Sequence, residues 1–149
     1  MGYTMNKQYQ KSLLNAYANT NQTIAANETI NFSNSNILTG CSIVFNAGSA
    51  AIQLKKPGVY LVSFNANVAE GGTLGIISAQ LAKNGINING AISSVDSTAA
   101  GDVGNINFNT LIKVLPSCCS IDNTTTLTVV NSGIEAIYSN ANITVVKLC

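Results

Sequence analysis

The sequence predicts an all-β domain, an antiparallel sandwich or barrel of eight to ten short strands, behind a short N-terminal helix. Three observations carry this. The stretches 59-VYLVSFNANVA-69 and 103-VGNINFNTLIKVL-115 alternate with period two, the spacing that puts side chains of a strand on one face. Turn-forming residues separate the apolar runs, among them Lys56-Pro57-Gly58 and Asn84-Gly85, and both members of an Asn-Gly pair tolerate the positive φ of a hairpin turn. The helical spacing is confined to the first 20 residues. Many short strands with turns between them are the mark of a sandwich or barrel.

The elements follow in order. Tyr9, Leu13 and Tyr17 stand at i, i+4 and i+8 with Leu14 alongside, which predicts a helix over 5–18. At a rise of about 1.5 Å per residue it is a rod of roughly 20 Å. So short a helix is marginal alone and must dock, either on its own domain or as an arm on another protein. Strands are predicted over 23–32, 41–46, 51–54, 59–69, 74–83, 86–93, 103–115, 125–130 and 142–148. The hairpin at Asn84-Gly85 joins the fifth and sixth. Pro116 ends the long strand before it, and 94–102 is a small polar loop. The last strand runs to the chain end and is expected inside its sheet, with neighbours on both sides. The chain thus divides into an arm, 1–21, and a strand domain, 22–149.

Composition narrows the function. Hydrophobic residues make up 46% and charged residues 9%, against about 25% charged in an average soluble domain. All seven basic residues are lysine, and arginine, histidine and tryptophan are absent. A net charge of +1 offers no attraction to nucleic acid or an anionic membrane. A nearly neutral surface rich in amides and hydroxyls suits a protein packed against copies of itself or a partner. No apolar run approaches the roughly 20 residues that span a bilayer. The first 22 residues lack the apolar core of a signal peptide, so synthesis in the cytoplasm without ordinary export is expected. Sequons at Asn27, Asn123 and Asn142 then carry no weight.

Catalysis has little to work with. There is no histidine to serve as a base near neutral pH, and Glu28, Glu70, Asp96, Asp102, Asp122 and Glu135 are scattered along the chain. The stretch 70-EGGTLG-75 is a turn and not a strand-to-helix phosphate cradle. No enzyme, no cofactor and no metal are expected. Asp96 and Asp102 flank the 94–102 loop with oxygens of the kind calcium takes, but the spacing matches no loop motif. Tyr138, in 132-SGIEAIYSNAN-142, is expected on a loop before the last strand. With Asp96 and Asp102 it makes up the candidate ligand loops. Cys41, Cys118, Cys119 and Cys149 contain no C-x-x-C pair. They are expected as reduced, mostly buried thiols; the alternative is a Cys41–Cys149 or inter-chain bridge.

The strand 57-PGVYLVSFNANV-68, with its Gly-x-Tyr-x-x-x-Phe pattern, resembles the signature strand of the trimeric jelly rolls of the tumour-necrosis-factor and complement globular-head type. The order of 57-PGVYLVSFNANVAEGG-72, 79-AQLAKNGININGAISS-94, 95-VDSTAAGD-102, 103-VGNINFNTLIKVL-115 and 141-ANITVVKLC-149 is similar to the C-terminal domain of BclA, a collagen-like spore-surface glycoprotein. The likeness covers about 22–149 and departs from BclA in lacking a collagen repeat. Small proteins of this plan look like products of phages and prophages. The resemblance implies a trimeric jelly roll acting as a virion accessory protein at the virion surface, a capsid decoration or head-fibre protein. The alternative is the receptor- or glycan-binding tip of a tail fibre, or a spore-surface adhesin. The arm would grip the major capsid protein or another virion protein through Tyr9, Leu13, Leu14 and Tyr17. The outer loops would meet a host-surface glycan.

The resemblance also puts the strands holding Tyr60 and Phe108 in one inner sheet, and alternation then assigns the faces. Tyr60, Val62, Phe64, Ala66 and Val68, with Ile106, Phe108, Thr110, Ile112 and Val114, form the predicted core. Val59, Leu61, Ser63, Asn65 and Asn67 turn the other way, with Asn105, Asn107, Asn109 and Leu111. Asparagine is disfavoured in strands, so the row needs a reason. Amides carry both donors and an acceptor, so identical side chains can pair around a three-fold axis. The expected trimer interface is Val59, Leu61, Asn65, Asn67, Asn105, Asn107, Asn109 and Leu111, apolar at one end and amide-lined elsewhere.

Overall fold

A computed structural model describes residues 10–117 and 124–149. Eleven strands are formed among the described residues: β1 (Leu13–Tyr17), β2 (Gln22–Ile24), β3 (Asn34–Thr39), β4 (Ile43–Phe45), β5 (Ile52–Leu54), β6 (Gly58–Glu70), β7 (Gly75–Lys83), β8 (Ile86–Ser97), β9 (Val103–Val114), β10 (Thr125–Asn131) and β11 (Ala136–Lys147). They make two antiparallel sheets. One runs β3-β1-β11-β6-β9, with β2 also pairing β11; the other runs β4-β5-β10-β7-β8.

Period two decides which residues fill the space between the sheets. β6 buries Tyr60, Val62, Phe64, Ala66 and Val68, and β9 buries Ile106, Phe108, Ile112 and Val114. Thr110 is only half-buried. The two strands pair in full register, Phe64 opposite Phe108 and Asn65 opposite Asn107. Phe64 meets Phe108 at 5.4 Å and Phe32 edge-on at 6.4 Å, separations at which aromatic pairs attract beyond their buried area. The Asn84-Gly85 turn has φ of 52° and 81°, as a two-residue hairpin requires. β11 lies between β1 and β6, inside its sheet as its place in the sequence suggests.

The predicted N-terminal helix is not formed over the described part of 5–18. Leu13–Tyr17 is a strand, hydrogen-bonded to β11 on one side and β3 on the other. The reason lies in the spacing itself. Residues four apart share a face in a helix, but four is also an even number, so Leu13 and Tyr17 share a face in a strand. The burial of Leu14 and Ala16 between them decides for the strand. Pairing on two edges also satisfies backbone groups that a lone short helix would leave to water. The boundary drawn at 21/22 consequently falls inside the sheet.

No strand is predicted over 34–39, where 34-NSNILT-39 is polar; it forms the edge strand β3, with Ile37 and Leu38 exposed on it. The predicted strand over 23–32 is divided: only Gln22–Ile24 pairs continuously, and Thr29 makes a single bridge to Val130.

Candidate functional site

The outward face of the six-stranded sheet is organised in cross-strand rows. Register aligns Leu13, Val146, Leu61 and Leu111 in one apolar row. The next holds Asn15, Thr144, Ser63 and Asn109; the one after it Tyr17, Asn142, Asn65 and Asn107. A shorter row holds Ser139, Asn67 and Asn105. None of these side chains is charged. The predicted interface residues therefore share one face, with Leu111 60% exposed, and Val59 lies at its end opposite Lys113.

Part of the asparagine row is explained within a single chain. Asn105 donates from Nδ2 to Asn65 Oδ1 at 2.8 Å, Asn67 Oδ1 at 3.1 Å and the Ala66 carbonyl at 3.2 Å. Asn107 donates to Asn105 Oδ1 at 2.9 Å. Across the sheet, Asn15 donates to Asn142 Oδ1 and Thr144 Oγ1, both at 2.9 Å, and Asn36 donates to Asn15 Oδ1 at 2.9 Å. The amides thus form cross-strand ladders, each bond adding about 0.5–1.5 kcal/mol net. The ladder uses the carboxamide oxygens of Asn65 and Asn67 as acceptors.

The proposed anchor residues do not form an arm. Leu14 is fully buried in the core, where it cannot grip another protein. Leu13 and Tyr17 belong to the outward face just described, and Tyr9 lies outside the described residues. Tyr138 is corrected likewise. It sits within β11, fully buried, and donates to Ser78 O at 3.2 Å and Asn131 Oδ1 at 3.0 Å. Burial pushes its phenol pKa far up. Asn131, itself buried, donates onward to the Ile24 and Ile134 carbonyls at 2.9 and 2.8 Å. Gly133 completes this corner, since a Cβ there would strike the Ile76 carbonyl of β7. Tyr138 therefore locks the β10–β11 connection and offers no ring to a sugar. The misassignment came from Ser, Gly and Asn in 132-SGIEAIYSNAN-142, which suggested a loop.

Asp96 and Asp102 do come together. Both line a cavity of about 200 Å³ with Val68, Ile77, Ser97 and Val103. The Ser97 hydroxyl is buried there without a hydrogen-bond partner. No cluster of three or more metal-ligating side chains occurs among the described residues.

The structure also shows an order the sequence concealed. The acids that look scattered gather at one end of the sandwich. Glu70 and Ala136 pair, Gly71 bonds to Glu135, Asn131 bonds to Glu28, and Asp96 pairs with Ile76. The described lysines gather at the other end. Lys113 pairs with Val59, Lys147 with Tyr60 and Ser12, and Lys83 with Leu127 at the start of β10. Lys11, Lys56 and Lys147 line one open cleft of about 620 Å³ with Gln10, Ser12 and Ser42. Lys7 and Asp122 lie outside the described residues. A usable signal was present: in an antiparallel sheet the start of one strand and the end of its neighbour share an end, and the lysines stand at such positions. Cys41 and Cys149 line the same cleft as exposed free thiols, not as the buried ones expected. Cys118 and Cys119 lie outside the described residues.

No protein-family model matches the sequence, and no curated protein matches it. Solved structures do match the fold. The globular domain of zebrafish complement 1qA protein aligns with a TM-score of 0.67 at 11% identity, covering 93% of this chain and 98% of that one. Murine APRIL at pH 5.0 aligns at 0.69 and 11% identity, over 93% and 99% of the two chains. The PRD1 vertex protein P5 aligns at 0.54 and 18% identity, over 93% and 97%. These likenesses show that the chain has the jelly-roll fold of the tumour-necrosis-factor and complement globular-head type.

Proposed function

We propose that the protein is a homotrimeric, non-enzymatic structural module of a virion surface, a capsid decoration or head-fibre protein. The observation that carries the trimer is the outward face of the six-stranded sheet. It combines an apolar row, Leu13, Val146, Leu61 and Leu111, with uncharged amide rows. A face meant for water gains nothing from four aligned aliphatic side chains, and burying each adds about 1.5–3 kcal/mol. Absence of charge removes the repulsion that identical residues would feel around an axis. The likeness in fold to a vertex protein of the phage PRD1 supports the virion setting.

With Leu13–Tyr17 built into the sheet, the segment left to grip another virion protein is 1–9, entering the domain at Gln10. Three such segments per trimer turn weak contacts into a strong one. Removal of 1–9 is expected to leave a folded trimer that no longer co-sediments with purified virions. Undiminished co-sedimentation of the truncated trimer rules out this anchor. A wild-type protein absent from virions rules out the setting. The second reading, a receptor- or glycan-binding tip, is favoured only by the Asp96–Asp102 cavity. Binding on a glycan array that Asp96→Asn and Asp102→Asn abolish would establish it.

A further inference from the structure

A net charge of +1 hides a strongly polarised molecule. Six lysines stand at one end: Lys11, Lys55, Lys56, Lys83, Lys113 and Lys147. Five carboxylates stand at the other: Glu28, Glu70, Asp96, Asp102 and Glu135. The separation is greatest along β6, whose 13 residues span roughly 40 Å at about 3.3 Å each, several Debye lengths at physiological salt; along β10 it is least, with Asn131 beside Glu28 and Leu127 beside Lys83 four residues apart. From the charge map we infer that the lysine end is a docking face for an acidic protein surface, and that the cleft between Lys11, Lys56 and Lys147 receives its carboxylates.

The cleft has the chemistry for this. Among the described residues no acidic side chain lines it, and Gln10 lines it together with the three lysines. Its floor is fixed. Ser12 and Ser42 are 5% exposed, and the Ser42 amide donates to Ser12 Oγ at 3.0 Å. Tyr60 donates to the Lys56 carbonyl at 2.6 Å, which holds the turn that carries Lys55 and Lys56. Among the described residues, two ammonium groups outside the cleft meet neutral oxygens: Lys55 with Thr124 Oγ1 and Lys83 with the Lys113 carbonyl, each at 2.9 Å. A protein partner is favoured over nucleic acid on two counts. The chain has no arginine, the residue suited to bidentate phosphate contacts. Among the described residues, the aromatic at this end, Tyr60, is fully buried and offers no stacking surface to bases. The docking face stands on the positions of the charges and holds for any acidic protein partner, so it stands or falls apart from the virion setting.

The test is retention of the full chain on immobilised poly-L-glutamate, with duplex DNA as the parallel arm. Wild type is expected to bind poly-L-glutamate at low salt and to be released as sodium chloride is raised. The combined Lys11→Gln, Lys56→Gln and Lys147→Gln variant is expected to bind about tenfold more weakly. The combined Glu70→Gln, Asp96→Asn and Asp102→Asn variant, at the other end, is expected to bind no less than wild type. Equal binding by the lysine variant overturns the inference, as does retention of wild type that is indifferent to salt. Tighter binding to DNA than to poly-L-glutamate also overturns it and assigns a phosphate polymer instead. Growth of wild type into salt-sensitive end-to-end chains overturns it in favour of docking between copies. The salt titration uses unaltered protein, so the test survives a variant that fails to fold.

Discussion

The two faces of the β6–β9 pair make opposite use of one alternating pattern. The inward face is finished within a single chain: Tyr60, Phe64 and Ile106 are at most 1% exposed. The outward face is half finished. Its amides bond along the sheet, but Leu61 and Leu111 face outward and the NH2 groups of Asn65 and Asn67 make no bond among the described residues. A side chain that completes its contacts inside the fold contributes to stability. One that leaves donors and apolar surface facing out contributes to association. Changes on the inward face should therefore cost stability, and changes on the outward face should cost assembly.

The largest effect is expected where the two roles were once confused. Deleting residues 1–18 removes β1, the strand that joins β11 to β3 and buries Leu14 and Ala16. The product should fail to fold, shown by loss of the cooperative melting transition. A stable truncated domain would mean that the segment is an arm after all. Phe64→Ala on the inward face should cost about 3–5 kcal/mol, read as a lower denaturation midpoint.

Tyr138→Phe comes next. It strips the hydroxyl from Asn131 Oδ1 and Ser78 O and should cost about 1–3 kcal/mol. The same phenol makes a pH prediction. Burial raises the pKa of Tyr138 and of Tyr60 above the ordinary value. The stability this reflects is fully present below the unfolded phenol pKa of about 10 and is lost as pH rises through the folded values. The melting temperature should fall above that pH, less steeply in Tyr138→Phe than in wild type. Smallest is Asn105→Ala, which removes the donor of the amide ladder at an exposed site. A cost of about 0.5–1.5 kcal/mol is expected from chemical denaturation.

The same contrast explains what was legible in the sequence. β6 and β9 were read correctly, faces included, because each is long enough for period two to repeat five or six times. β1 was not, because a five-residue segment with leucines and a tyrosine four apart fits helix and strand alike. β3 was missed because an edge strand with little to bury has little apolar signal. Tyr138 was misplaced because Ser, Gly and Asn in 132-SGIEAIYSNAN-142 gave the segment the composition of a loop. The asparagine row was recognised as an anomaly, but only register showed that Asn105 reaches Asn65 and Asn67 across the strand pair. The separation of charge into two ends was legible only in part: the lysines stand at strand starts and ends, but which of those ends meet depends on the strand pairing.

The account rests most heavily on the outward face being shared between copies. The direct measurement is solution mass by sedimentation equilibrium for wild type and Asn107→Glu, at matched concentrations. The account predicts three times the 15.5 kDa chain mass for wild type and a shift to monomer for Asn107→Glu, since the new carboxylate would meet two copies of itself. A monomeric wild type, or a trimer that Asn107→Glu leaves intact, would contradict it.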